Sequence, residues 1–159
     1  MNIVLFQPEI PPNTGNIART CACTGVKLHL IRPLGFSTDE KALRRAGLDY
    51  WDKLDIYYYD SLDELFDKYK GRNFYFATKF ANNNYTEINY ESDDFLVFGR
   101  ETAGLPDEIM AKYSKQCIRI PMKDDVRSLN LSNAVCVVLY EALRQVGFPC
   151  LEDKGKLVN

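Results

Sequence analysis

The sequence predicts an α/β fold in which a mainly parallel sheet is covered by helices. Short apolar runs alternate with helix-like patterns along the whole chain, and such alternation is typical of helices packed on a parallel sheet. The 159 residues, 46% of them hydrophobic, are enough for one packed domain. Segments rich in Gly, Asn, Ser and Pro follow several of the apolar runs. We therefore expect a single domain spanning residues 1–159, with ligand-binding loops at the strand ends.

The elements follow from the periodicity of the apolar residues. The predicted strands are Asn2–Phe6, Lys27–Ile31, Asp55–Tyr58, Phe74–Thr78, Phe95–Phe98 and Cys117–Ile120. The predicted helices are Gly15–Thr24, Asp39–Ala46, Leu62–Tyr69, Asp107–Tyr113 and Leu131–Val146. The polar tail from about residue 152 is expected to fray.

The first helix has recognisable ends and two different faces. Asn13 or Thr14 can cap its start, and Gly25 can end it. Helical spacing places Ile17 on the expected core face and Arg19 on another face. We therefore expect Arg19 to lie outside the core.

The last helix is apolar on all sides from Ala134 to Leu139. A helix of that kind is buried all round, either at the centre of its own domain or against a second subunit. The pattern leaves both interpretations open. In the second, Tyr140 would lie at the interface or near RNA.

Charge alone does not indicate a nucleic-acid partner, because the net charge is −2 and phosphate binding usually accompanies a basic balance. Two local basic groups stand out, and charge alone favours a solvated surface for each. They are Lys41, Arg44 and Arg45, and further along Arg119, Lys123 and Arg127.

Cysteine usage predicts a reduced, cytoplasmic protein. Five cysteines at wide spacing, without a signal peptide, favour free thiols. No stretch has the length of apolar sequence that a membrane span needs. Cys21 and Cys23 are one residue apart, and the one histidine, His29, lies in an apolar strand. We therefore expect no metal site.

Three loops are candidates for chemistry, namely Gln7–Asn16, Gly99–Pro106 and Pro121–Asn133. None of the usual nucleotide or hydrolase motifs occupies them. No GxGxxG follows the first strand, and Leu105 and Pro106 stand where a phosphate-binding loop needs Lys and Ser or Thr. A GxSxG nucleophile motif is also absent from the sequence.

Three segments resemble the motifs of the SPOUT RNA 2'-O-methyltransferases in the same order and spacing: Asn13–Arg19, Phe98–Pro106 and Arg127–Gln145. Two others, Leu43–Trp51 and Arg119–Met122, narrow the resemblance. Together they resemble the small tRNA (cytidine/uridine-34 2'-O)-methyltransferase subfamily over nearly the whole chain.

The resemblance implies a fold and an activity beyond what periodicity can show. It implies a deep trefoil knot in the C-terminal half, a homodimer, and S-adenosylmethionine as the cofactor, bent into the knot loops. The implied substrate is the wobble nucleotide in the anticodon stem-loop of tRNA. The tRNAs that the resemblance implies are the leucine isoacceptors. Methyl transfer of this kind needs no metal.

The resemblance also assigns residues. It places the cofactor on Phe76, Gly99, Ile120 and Ser128, largely through backbone contacts. The catalytic residues that it implies are Arg19, Asn13, Glu101 and Asn130. A guanidinium stays protonated at neutral pH, so we expect Arg19 to hold a phosphate or stabilise a developing alkoxide rather than take a proton.

The expected RNA contacts are Lys41, Arg44, Arg45 and Arg100. The second motif departs from its relatives at two positions, since Arg100 and Ala103 stand where relatives can have Pro and Arg. This leaves open which residue of that loop touches RNA.

Three alternatives compete with the wobble assignment. One is a SPOUT enzyme that methylates another tRNA or ribosomal RNA ribose. Another is a non-catalytic RNA-binding module with the same fold. The last is a flavodoxin-like protein that binds a small molecule.

Overall fold

The computed structural model describes residues 1–37, 54–152 and 154–155. The strands are β1 Asn2–Phe6, β2 Lys27–Ile31, β3 Ile56–Tyr59, β4 Phe74–Ala77, β5 Asn83–Asn84, β6 Phe95–Phe98 and β7 Cys117–Arg119. The α-helices are α1 Pro11–Thr24, α2 Leu62–Lys68, α3 Asp107–Lys112 and α4 Leu131–Gln145. Two short 3-10 helices lie at Tyr85–Glu87 and Ser114–Gln116.

The strands form one sheet with the order β3-β2-β1-β6-β4-β7-β5. Each pair of neighbouring strands in this described sheet is parallel. The carboxyl ends of β1, β6, β4 and β7, which are adjacent in this order, therefore meet at one edge. The predicted parallel α/β architecture is confirmed, and the loops singled out in the sequence follow three of these four strands.

Helices cover both faces of the sheet because its strands are apolar on both sides. On one face, Ile3 and Leu5 of β1 pack in a cluster with residues of α1 and α4. On the other face, Val4 of β1 packs in a second cluster with Leu65 of α2. Successive side chains of a strand point to opposite faces, so a single strand contributes to both cores.

Helix α1 begins four residues earlier than predicted, at Pro11 rather than Gly15, and the predicted cap at Asn13 or Thr14 is wrong. Pro11 and Pro12 occupy the first helical positions, where a proline fits because its missing N–H would have no helical partner. Asn13 and Thr14 are consequently buried inside the first turn. The predicted end is confirmed, since Gly25 adopts the left-handed conformation with φ 67°.

The side chains of α4 are divided between a buried face and an exposed one. Val135, Val138 and Leu139 are buried against the sheet and α1. Val137 and Tyr140 lie on the outer face and are 38% and 44% exposed. The described part of the chain therefore does not bury this helix on every side.

Most remaining elements agree with the predictions within one residue. Strand β3 begins and ends one residue later than expected, and the two-residue edge strand β5 was not predicted. The predicted helix Asp39–Ala46 and most of the polar tail lie outside the described residues. The trefoil knot is not read directly from the strand order and stays a prediction, as does the single-domain assignment.

Within the described ranges, no helix has both the length and the apolar character to cross a membrane.

His29 is a buried structural residue of the sheet. Its Nε2 lies 3.1 Å from Asn2 Oδ1, and its Nδ1 lies 3.1 Å from the Tyr59 hydroxyl. Asn2 directs its amide hydrogens to the carbonyls of Asp93 and Asp94, so its Oδ1 accepts a hydrogen from His29. This fixes the neutral tautomer with the proton on Nε2, and Nδ1 accepts from Tyr59.

Burial, reinforced by the positive charges of Lys27 and Lys68, lowers the pKa of His29 to about 3. The unfolded chain takes up this proton at the ordinary histidine pKa of about 6.5. The folded state therefore loses stability as the pH falls from about 6.5 toward 3, by roughly 1.4 kcal/mol per pH unit from this residue.

We expect His29→Gln to flatten the pH dependence of stability, because the variant removes the one histidine of the chain. Between about pH 7 and pH 5, the wild type should lose about 2 kcal/mol of unfolding free energy through His29. Urea unfolding of both proteins at the two pH values measures the difference. Equal pH slopes in the two proteins would contradict the assignment.

Candidate active site

A cavity of about 610 Å³ opens at the carboxyl ends of the central strands. It lies between the segments that follow β1, β4, β6 and β7. The volume falls in the range of about 300–1,000 Å³ typical of small-molecule sites. Its apolar lining includes Ala77, Leu105, Met110, Ile118, Ile120, Met122, Leu129 and Val138. Its polar lining includes Asn13, Thr78, Lys79, Arg100, Glu101, Arg127, Ser128 and Asn130.

A chain of side-chain hydrogen bonds crosses the site. Asn130 Nδ2 donates to Asn13 Oδ1 at 2.9 Å, and Asn13 Nδ2 donates to Glu101 Oε1 at 3.1 Å. Asn130 Oδ1 accepts hydrogens from the backbone N–H of Ser132, at 2.9 Å, and from its hydroxyl. These contacts join α1, the loop after β6 and the start of α4.

The direction of this chain is set by its two ends. The Ser132 N–H can only donate, so Asn130 must present its oxygen to Ser132 and its amide nitrogen to Asn13. Asn13 then presents its own oxygen to Asn130 and its amide nitrogen to the carboxylate of Glu101, which accepts hydrogens. Both asparagine side chains are thereby oriented, and each bond described uses one of the two hydrogens on the amide nitrogen.

Glu101 and Glu9 join two loops reciprocally. The Glu101 carboxylate accepts hydrogens from the backbone N–H groups of Glu9, at 2.8 Å, and Ile10, at 3.1 Å. In return, the Glu9 carboxylate accepts from the backbone N–H and the hydroxyl of Thr102. The backbone donors that Glu101 bonds lie just before α1, whose cap residue Ile10 forms no side-chain cap hydrogen bond of its own.

The loop after β6 folds tightly on itself. The backbones of Arg100 and Gly104 exchange two hydrogen bonds, of 3.1 and 3.0 Å. A Cβ at Gly99 would lie 2.2 Å from the carbonyl carbon of Gly104, so only glycine allows this approach. Gly104 itself has φ 71°, which favours glycine. The loop therefore presents its backbone directly to the cavity.

The side chain of Arg100 is held beneath the loop. A guanidinium nitrogen donates to Gln7 Oε1, and the group lies over the ring of Phe6, 5.4 Å from its centroid. Gln7 in turn donates to the carbonyl oxygen of Arg32. Arg100 lines the cavity, but these contacts direct part of its guanidinium into the protein, so its expected RNA contact stays a prediction.

Most predicted site residues come together at the cavity. The lining includes Asn13, Gly99, Arg100, Glu101, Ile120, Ser128 and Asn130. Phe76 does not line it. Its side chain is buried on the other face of the sheet and stacks on Tyr113 with ring centroids 4.9 Å apart, whereas the next residue of β4, Ala77, does line the cavity. A cofactor contact of the Phe76 backbone stays a prediction.

Arg19 is exposed on the outer face of α1 and does not line the cavity of its own chain. Its position agrees with the predicted helix face, but the structure does not bring it to Asn13, Glu101 and Asn130. Lys41, Arg44 and Arg45 lie outside the described residues.

Sequence reasoning missed Glu9, Thr102 and Gln7. The available signal was a pair of glutamates, Glu9 and Glu101, that follow two predicted strands. The order of the strands, which makes β1 and β6 neighbours, is what turns that pair into a reciprocal contact.

A parallel sheet with a cavity at its carboxyl edge, lined by polar and apolar residues, is the arrangement in which α/β proteins bind small molecules. The sequence identifies the family, because residues 1–140 match the SpoU rRNA Methylase family. The chain belongs to that family.

Individual proteins are similar to this chain over most of its length. A Listeria monocytogenes protein, named as a candidate tRNA (cytidine(34)-2'-O)-methyltransferase, is 60% identical over 153 residues, covering 94% of this chain and 90% of its own. A structure described as giving insights into 2'-OH methylation of C/U34 on tRNA is 44% identical, with a TM-score of 0.85, covering 92% of this chain and 95% of its own. An S-adenosylmethionine-bound rRNA methyltransferase from Sinorhizobium meliloti is 27% identical, with a TM-score of 0.76, covering 91% of this chain and 56% of its own.

We expect Glu101→Gln to reduce the free energy of unfolding by about 1–3 kcal/mol. Three donors face the carboxylate, and the glutamine amide nitrogen, itself a donor, must replace one acceptor oxygen. The matched control is Glu152→Gln, an exposed carboxylate outside the helices, which should change stability by less than about 0.5 kcal/mol. Similar losses in both variants, measured by denaturant unfolding, would show that Glu101 does not join the loops.

Proposed function

We propose that the chain transfers a methyl group from S-adenosylmethionine to the ribose 2'-oxygen of the wobble nucleotide of tRNA. The observation that carries the proposal is the oriented Asn130–Asn13–Glu101 chain at the wall of a ligand-sized cavity. It occurs in a chain 60% identical to a relative named for that reaction.

The residues of the cavity fit the proposed cofactor. The apolar lining suits an adenine ring and the carbon chain of a methionine group. The close approach of Gly99 to Gly104 exposes loop backbone for polar contacts. Ser128, Asn130 and Arg127 provide polar and charged groups on the opposite loop.

S-adenosylmethionine supplies an activated methyl group on a positively charged sulfur. The chain's own residues then have to bring the ribose oxygen in line with that methyl group, and positioning can supply a large part of such a rate enhancement. Both oxygens of Glu101 already accept hydrogens from backbone or amide donors. We therefore assign Glu101 to positioning Asn13 and Asn130.

The exposed faces of α1 and α4 support a homodimer. Each helix leaves one stripe outward, with Asn16, Arg19 and Cys23 on α1, and Val137 and Tyr140 on α4. The two helices pack on each other within the chain. A second copy docked here would cover the apolar part of α4, and Arg19 of one subunit would serve the cavity of the other.

The RNA partner is proposed as the anticodon stem-loop, most specifically of leucine tRNAs, with the protein acting in the cytoplasm. An unpaired loop offers bases that can be splayed out and recognised singly. Lys79 and Arg127 add positive charge at the cavity, and Lys41, Arg44 and Arg45 are proposed to hold the stem phosphates.

The substrate test follows labelled methyl groups from S-adenosylmethionine into an isolated anticodon stem-loop. We expect transfer to the wobble ribose in the presence of a chelator, since we propose no metal. Arg44→Glu with Arg45→Glu should weaken RNA binding while sparing cofactor binding, because charge reversal acts on phosphate contacts. Label found only in another tRNA region or in ribosomal RNA would replace the wobble assignment with one of its alternatives.

We also predict that Arg19→Ala abolishes methyl transfer and leaves cofactor affinity nearly unchanged, because Arg19 lies off the core face of α1 and outside the loops proposed to bind the cofactor. Mixing inactive Arg19→Ala with inactive Asn130→Ala protein tests the shared site. If Arg19 acts across the dimer, mixed dimers contain one intact site and regain activity. No regained activity in dimers shown by sedimentation to have mixed would contradict the shared site.

A further inference from the structure

Phe80 is a large aromatic side chain held out at the mouth of the cavity. It is 70% exposed, the largest value among the exposed large hydrophobic residues of the described chain. It lines the same cavity as Asn13, Glu101 and Asn130. Nothing in the proposed cofactor site or the hydrogen-bonded chain requires a phenyl ring at this position.

The turn that carries Phe80 is anchored on both sides. The Phe80 N–H donates to Thr78 Oγ1 at 3.3 Å, and the Thr78 N–H donates to the carbonyl oxygen of Ile118 at 2.9 Å. On the other side, Ala81 is 9% exposed. Asn83 Nδ2 donates to two carbonyl oxygens, one just before β7 and one in its first residue. The exposed ring therefore projects from a fixed turn of the backbone.

The positive charge of Lys79 lies over one face of the Phe80 ring. Lys79 Nζ is 5.0 Å from the centroid of the Phe80 ring. An exposed aromatic face beside a cation is the combination with which proteins bind unpaired nucleotides, because the base stacks on the ring and the cation attracts the phosphate.

We propose that Phe80 stacks on the base of the nucleotide whose ribose is methylated. This inference rests on the proposed function. The reacting 2'-oxygen must enter the cavity, and the base attached to that same ribose then lies at the cavity mouth, where Phe80 is. A base leaving the stack of the anticodon loop loses its neighbours, and the phenyl ring replaces one of them.

A double-mutant cycle between protein and RNA isolates this contact. The RNA is the anticodon stem-loop, used intact, with an abasic wobble nucleotide, or with an abasic neighbour on either side. An abasic nucleotide keeps the ribose and its 2'-oxygen. The proteins are full-length wild type, Phe80→Ala and Phe80→Trp, and RNA affinity and single-turnover methyl transfer are measured for each combination.

We expect Phe80→Ala to weaken binding of the intact stem-loop on the order of tenfold, and Phe80→Trp to restore it. With the abasic wobble nucleotide, wild type and Phe80→Ala should bind equally, whereas an abasic neighbour should leave the tenfold difference in place. Affinity for S-adenosylhomocysteine and the urea unfolding midpoint should be unchanged in Phe80→Ala, since the ring is exposed.

Several results would overturn the inference. One is that Phe80→Ala weakens binding of the intact and the wobble-abasic RNA equally. Another is that the effect of Phe80→Ala disappears only when a neighbouring nucleotide is abasic. A third is that Phe80→Ala also weakens S-adenosylhomocysteine binding, which would place the ring on the cofactor. If wild type methylates the stem-loop and Phe80→Ala does so equally well, only the stacking contact fails. If wild type does not methylate the stem-loop, the proposed function fails and the inference with it.

Discussion

The Glu101 carboxylate is the contact on which the geometry of the site depends. It accepts backbone hydrogens from Glu9 and Ile10 and an amide hydrogen from Asn13. Because a carboxylate only accepts, it determines which way Asn13 turns, and Asn130, oriented by the Ser132 N–H, presents its amide nitrogen to the Asn13 oxygen. One acceptor thus relates α1, the loop after β6 and the start of α4, which are far apart in the chain.

The start of α1 explains why this arrangement is possible. A helix normally satisfies its first N–H groups with a capping side chain. Here, Pro11 and Pro12 remove two of those donors. Asn13 is therefore available to point into the site, and the donors just before the helix are bonded by Glu101. Helix stability and site geometry share the same few atoms.

Two surface features of the single chain are proposed to contact partners. Arg19 projects from α1 away from the cavity of its own chain, and the outer face of α4 keeps apolar surface exposed. A second copy and an RNA loop are the partners proposed for these surfaces. Phe80 differs from both, since it lies at the cavity itself and matches the size and planarity of a base.

The amino-acid sequence was enough to predict the parallel sheet, most element boundaries, the apolar strand that contains His29 and, through resemblance, the group of Asn13, Glu101 and Asn130. These follow from local periodicity and from motifs, which are properties of neighbouring residues. Tertiary contacts, by contrast, establish that Glu9 and Thr102 complete the site, that Phe76 faces away from the cavity and that Phe80 lines it. Both the reciprocal contact and the position of Phe80 depend on which strands are neighbours in the sheet: β1 beside β6 brings two glutamates together, and β4 between β6 and β7 sets the turn that carries Phe80.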